Sequence, residues 1–231
     1  MAKTRVKADN QGAGTGERSR PGQLSRPDAG EESRGVSSRV SELAAGRLPG
    51  DLVPRAMFFT NGSGTHRDKL SSFELALREA GVATANLVSV SSIFPPHCRV
   101  ITRNQGVELL RPGQVVFAVM TRQSTNEPHR LIAASIGLAR PTNPDAHGYL
   151  SEHNSFGETK QKAGDYAEDL AASMLATTLG LAFDPDRAWD ERKEVFRMSG
   201  QIVHTSSTTR TATGHKKGLW TTVVALGVFV L

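Results

Sequence analysis

An α+β sheet sandwich is the fold class that this sequence predicts, and three observations predict it. Short apolar runs with strand character recur from Ala56 to the end of the chain. Only two segments carry a convincing helical period, and they do not alternate with the strands as a doubly wound parallel sheet requires. The 231 residues, 38% of them hydrophobic, are enough for one good core and too few for two.

The first 54 residues precede that core. Residues 1–55 contain no aromatic residue, and Gly, Ser, Arg, Pro and Glu recur from Gln11 to Pro54 without period, the composition of a disordered polar tail. They hold 10 Lys and Arg against 7 Asp and Glu, leaving 18 against 16 for the rest, so the folded part is nearly neutral although the whole chain carries +5. Nucleic-acid binding through the tail is disfavoured, because acids dilute its charge and nothing in it stacks on a base. No apolar stretch approaches the roughly 20 residues of a membrane-spanning helix, and the apolar run from Leu219 to Leu231 reads as a closing strand. A single cysteine excludes a disulfide framework and fits a reducing, cytoplasmic compartment.

The folded domain is expected over 55–231. Ala56 to Thr60 reads as a strand stopped by the loop cluster Asn61-Gly62-Ser63-Gly64. Leu70, Phe73, Leu77 and Ala80 fall at helical spacing, and Gly81 sits where a left-handed cap belongs. Within that helix, Ser71 and Glu74 have the spacing of a capping box. A strand from Asn86 to Val90 runs into Ser91-Ser92-Ile93-Phe94-Pro95-Pro96, where two prolines forbid both a helix and a central strand, so the chain must leave the sheet. Strands are expected at Gln114 to Thr121, Arg130 to Leu138 and Tyr149 to His153, separated by the polar stretch Arg122 to Pro128 and the loop Arg140 to His147. A long helix from about Glu158 to Thr178 places Tyr166, Ala167, Leu170, Ala171, Met174, Leu175 and Leu179 on one face, with Gly180 at its end. The remainder reads as a segment from Val195 to His204, a Ser/Thr-rich loop and the closing strand.

The serine pair is the most informative feature. One reading is a capped strand end, with both hydroxyls bonded to their own backbone. The other is a strained peptide bond whose Ser91 carbonyl is open to attack by the Ser92 hydroxyl. Three spaced features decide between them: Ser71-Ser72-Phe73-Glu74-Leu75-Ala76-Leu77-Arg78-Glu79-Ala80-Gly81, then Asn86 ahead of Ser91-Ser92-Ile93-Phe94-Pro95-Pro96, then Gly148-Tyr149-Leu150-Ser151-Glu152. Together with the closing strand, they make the chain resemble the pyruvoyl-dependent arginine decarboxylases from about Ala56 to Leu231.

The resemblance implies a four-layer αββα sandwich with mainly antiparallel sheets, assembled as a homotrimer or a dimer of trimers with sites between subunits. It implies self-cleavage between Ser91 and Ser92, leaving a pyruvoyl group on the fragment that begins at residue 92. That ketone would form a Schiff base with the α-amine of L-arginine and accept the electrons left as carbon dioxide departs, giving agmatine. The resemblance implies that no pyridoxal phosphate is needed, and no metal is expected because no His pair or Cys cluster has ligand spacing. The resemblance makes Ser92, Glu152 and Asn86 the catalytic residues, with Glu152 as the acid that protonates the former α-carbon. It assigns Glu74, the new carboxylate of Ser91, Leu70 and Leu77 to substrate binding. Glu74 stands where the family usually has Asp, and its capping-box role competes for the same carboxylate. Residues His153 to Glu158 also depart from the family pattern. Cys98 reads as a buried thiol. Two alternatives stay open: a pyruvoyl decarboxylase of another amino acid, and an unprocessed trimeric binding or regulatory homologue.

Overall fold

A computed structural model of the chain describes residues 52–180 and 202–231. Among these the order is β1 (Ala56–His66), α1 (Lys69–Ala80), β2 (Asn86–Ser89), β3 (Ile93–Phe94), β4 (Arg99–Ile101), α2 (Arg103–Glu108), β5 (Val115–Thr125), β6 (Leu131–Pro141), β7 (Gly148–Phe156), α3 (Lys160–Thr178), β8 (Ile202–Thr213) and β9 (Trp220–Val230). The expected tail lies outside the described residues up to Asp51, as does the segment expected from Val195 as far as Gln201.

The strands make two sheets, one of order β2-β5-β9-β1-β4 and one of order β3-β7-β6-β8. The centre of the first is antiparallel, with β2 and β4 added in parallel at its edges. The second is antiparallel throughout. Met57, Val119, Ile136, Leu138, Leu150, Val223 and Phe229, drawn from both sheets, share one buried apolar cluster. The other face of the first sheet buries Phe58, Val116, Leu226 and Val228 with Ala76 and Ala80 of α1. Ala139 of the second sheet packs with Ala171, Ala172, Leu175 and Ala176 of α3. Both helices therefore seat mainly alanines on their sheets, with Leu175 of α3 as a large side chain among them.

That choice of alanine explains where the structure departs from the expected elements. β1 does not stop at Asn61; it runs to His66 because Gly62 and Gly64 are places where α1 lies against the strand. A Cβ on Gly62 would sit 2.2 Å from the Ala76 carbonyl oxygen, and one on Gly64 would sit 2.2 Å from that of Ser72. These are close-approach glycines within a strand, not turn glycines. The buried stripe of α1 is accordingly Ser72, Ala76 and Ala80, while Leu70 is 77% exposed and Phe73 and Leu77 are only partly covered. In α3 the buried stripe passes through Ala163, Gly164, Ala167, Ala171 and Leu175; Ala167, Ala171 and Leu175 lie on the expected face, while Tyr166 and Leu170 of that face stay partly exposed.

The capping box is also overturned. α1 begins two residues before Ser71, its cap is Asp68 without a side-chain bond, and Glu74 reaches forward to Arg78 rather than back to a cap. The capping box among the described residues belongs instead to α2, between Thr102 and Gln105. α2 is a short helix that lacks the apolar period needed to predict it. Gly81 does take the left-handed conformation, at φ 82°. The polar stretch after Thr121 continues β5 to Thr125, and the expected Ser/Thr-rich loop is the strand β8. Threonine's branched β-carbon suits a pleated strand, and hydroxyls can pair across it: Ser135 and Thr209 lie 2.7 Å apart on β6 and β8.

Candidate active site

The serine pair sits on the link that carries the chain from one sheet to the other. β2 and β3 are both edge strands, of the first and second sheet respectively. Val90 N still donates to Ala118 O of β5 at 3.1 Å, whereas Ser92 O already accepts from Leu150 N of β7 at 2.7 Å. The intervening peptide between Ser91 and Ser92 is thus held at both ends by different sheets. Ser91 is exposed and Ser92 is half-buried. Pro95 and Pro96 end β3 after two residues, which keeps this edge short and leaves the link uncovered. An open cavity of about 440 Å³ borders it, lined by Leu52, Val90, Ser91, Ile93, Phe117 and Phe229 among others.

Glu152 lies on β7, two residues beyond Leu150. Its strand alternates cleanly: Ser151 donates to Ala167 O of α3 and the His153 ring packs at a tilt against Tyr166 of α3, while Leu150 enters the cluster between the sheets. Glu152 shares the face of Leu150, so it points toward the first sheet at the edge where the link crosses. Although its side chain meets solvent, desolvation by the surrounding protein raises its carboxyl above the ordinary range. The groups that the structure brings together are therefore Ser91, Ser92 and the Glu152 stretch of β7.

The other expected residues stand apart within one chain. Asn86 opens β2, five residues before Ser91, roughly 16 Å away at an extended rise. Its side-chain amide donates to Gly113 O at 2.9 Å. Glu74 is on the exposed side of α1, where its Oε1 takes a 2.5 Å bond from Arg78 Nε. Leu70 and Leu77 belong to the same helix, Leu70 exposed and Leu77 partly covered by the α1 cluster. Cys98 is buried between the sheets, and burial pushes its thiol up to about 11.

Two polar groups near Glu152 went unread in the sequence. Asn154 spans the gap between the sheets: its Nδ2 donates to Thr121 Oγ1, and its Oδ1 accepts from Gln123 Nε2, each at 3.3 Å. On the opposite face of β7, His153 Nε2 lies 2.7 Å from Glu158 Oε2, and Lys162 Nζ lies 3.3 Å from Glu158 Oε1. The hydrogen bond from His153 is the main reason that the Glu158 carboxyl falls to about 2. Period-two alternation along β7 was the available signal. It separates Glu152 and Asn154 from His153 and Ser155.

Fold and link together define a class: a two-sheet α+β domain whose edge-to-edge crossing carries adjacent serines ahead of a diproline. The family model described as pyruvoyl-dependent arginine decarboxylase matches residues 56–231. Among curated proteins, the chain is 57% identical over 179 residues to the "Probable pyruvoyl-dependent arginine decarboxylase" of Chloroherpeton thalassium, covering 78% of this chain and 98% of that one. It is 56% identical over 179 residues to "Pyruvoyl-dependent arginine decarboxylase 2" of Methanosarcina acetivorans, with the same coverage. It is 55% identical over 180 residues to the "Pyruvoyl-dependent arginine decarboxylase" of Methanococcoides burtonii, covering 78% of this chain and all of that protein. The chain belongs to the pyruvoyl-dependent arginine decarboxylase family.

Proposed function

We propose that this protein cleaves itself between Ser91 and Ser92 and then decarboxylates L-arginine to agmatine and carbon dioxide. The observation that carries the reading is the position of the serine pair, on an exposed link tied to one sheet through Val90 and to the other through Ser92. The helix–sheet–sheet–helix order of the buried clusters supports a four-layer αββα sandwich as the frame.

The cleavage uses this chain's own atoms. Ser92 Oγ attacks the carbonyl carbon of Ser91, the C–N bond breaks, and an ester replaces the amide while the nitrogen of Ser92 takes up a proton. Loss of the Ser92 α-proton then expels the ester oxygen. Ser91 is left with a free carboxylate and residue 92 with a carbon–carbon double bond, which water hydrolyses to a ketone with release of ammonia. The link suits this sequence, because main-chain hydrogen bonds hold both flanks while the reacting peptide stays uncovered.

The residues present fit a pyruvoyl group, since Ser92 supplies its carbon skeleton and the neighbouring cavity leaves room beside it. Such a group supplies an electrophilic carbonyl that takes an amine and draws off the electron pair released with carbon dioxide. Leu150 N holds the Ser92 main-chain oxygen, fixing residue 92 against β7. Glu152, whose carboxyl desolvation raises above its ordinary value, is the acid that delivers a proton to the former α-carbon. The Ser91 carboxylate, left on the other fragment beside the cavity, attracts a cationic substrate.

Glu74 pairs with the substrate guanidinium in this reading, and Leu70 and Leu77 flank its methylene chain. The bond already formed to the Arg78 guanidinium supports Glu74 as a guanidinium acceptor. Glu74 and Asn86 lie away from the serine link within one chain, which favours a homotrimer, or a dimer of trimers, whose neighbouring subunit completes each site. The test is kcat/KM for arginine, ornithine, lysine and histidine in wild type and Glu74→Gln. Arginine should be preferred by wild type and should lose roughly 1.5–3 kcal/mol of binding in the variant. An unchanged preference removes Glu74 from the site.

A further inference from the structure

We propose that Asn154, bridged to Thr121 and Gln123, is the positioning residue that keeps Glu152 in register with the Ser91 carboxylate once the link has been cut. The inference rests on the self-cleavage reading above. Two connections join β5 to β7 on this edge. One is the link itself, from Val90 bonded to Ala118 of β5 to Ser92 bonded to Leu150 of β7. The other is the Asn154 bridge, reaching Thr121 and Gln123 of β5. Glu152 stands midway between Leu150 and Asn154 on the same face of β7.

Cleavage after Ser91 severs the first connection. Val90 and Ser91 remain with β2 and β5, while Ser92 remains with β7. The Asn154 side chain is then the hydrogen-bonded tie between β5 and β7 among the described residues. Its anchor is built for that role: Thr121 is only 3% exposed, so its hydroxyl has little access to water if Asn154 is lost. Before cleavage the covalent link spaces the strands, so the bridge matters little for the first reaction. Afterwards the spacing between the new end of one fragment, carrying the Ser91 carboxylate, and Glu152 on the other depends on it. Misplacement of about 1 Å can cost up to a hundredfold in rate.

The test is Asn154→Leu, which keeps the branched shape and removes both bonds, with Thr121→Val and Gln123→Leu as variants at the opposite end. In each, cleavage into residues 1–91 and 92–231 should go to completion. KM for arginine should stay within about twofold of wild type while kcat falls roughly tenfold or more. In thermal unfolding, Asn154→Leu should lower Tm more in the cleaved protein than in the uncleavable Ser92→Ala background. Cleaved Asn154→Leu with wild-type kcat, or equal Tm losses in the two backgrounds, overturns the bridge and leaves the decarboxylase reading intact. Loss of cleavage in parallel with turnover also overturns it, since the bridge would then be a general structural tie. Wild-type protein that never cleaves fails the underlying reading instead.

Discussion

The main-chain N–H of Leu150, two residues before Glu152, donates to the carbonyl oxygen of Ser92 at 2.7 Å. That bond anchors the second half of the serine pair to β7, while the residue just ahead of the pair, Val90, is anchored to β5. The reacting peptide and the expected acid are thereby tied to one strand edge by secondary structure rather than by a flexible loop.

Glu152→Gln should separate cleavage from turnover. The variant should cleave fully and lose most decarboxylation, because the amide cannot donate the proton. In wild type, burial raises the Glu152 pKa, so the acid is present below that pKa and is lost as pH rises through it. The kcat profile should fall on its alkaline side accordingly, and a cleaved Gln variant with wild-type kcat would remove Glu152 from the role.

Gly62→Ala and Gly64→Ala should each destabilise the domain by at least about 1–3 kcal/mol, the scale of an overpacked core. Each new Cβ would meet a main-chain oxygen of α1 at 2.2 Å, which no rotamer change relieves. Urea unfolding of the uncleavable Ser92→Ala protein, with and without each substitution, reads the difference. Wild-type stability in both would contradict the close helix–strand contact.

Glu158 should contribute an acid-sensitive share of stability. Its carboxyl is lowered from 4.5 to about 2, chiefly by the hydrogen bond from His153. A depressed carboxylate pKa stabilises the fold above the unfolded value and is lost as pH falls through the folded one. Stability should therefore decline between about pH 4.5 and 2 more steeply in wild type than in Glu158→Gln. Parallel profiles would show that the His153 contact does not hold the fold.

Much of this was legible in the sequence, for identifiable reasons. Gly81 marked a helix end because a left-handed backbone demands it; the diproline marked a strand end because proline breaks the ladder, but that strand is β3 of the second sheet, the first sheet having been left earlier, at the serine pair. The same glycine logic failed at Gly62 and Gly64, where the reason for glycine is a helix whose nearest main-chain oxygens, of Ala76 and Ser72, lie 14 and 8 residues further along the chain. A local pattern does not reveal a tertiary contact of that kind. Leu70, Tyr166 and Leu170 follow the helical apolar period yet stay exposed, because close packing on the sheets selects mainly alanine, while Ala80, Ala167, Ala171 and Leu175 of the same faces are buried. Around the site, the serine pair and Glu152 could be named from motifs. Asn154 could not, since its importance depends on β5 lying opposite it.

The intact mass of the purified protein tests the central claim most directly. Wild type should give two species, residues 1–91 and residues 92–231, the second lighter by one ammonia than a serine-ended fragment. Ser92→Ala should give a single full-length species. A wild-type chain that stays at full length after prolonged incubation would contradict self-processing and favour an unprocessed binding protein on the same fold.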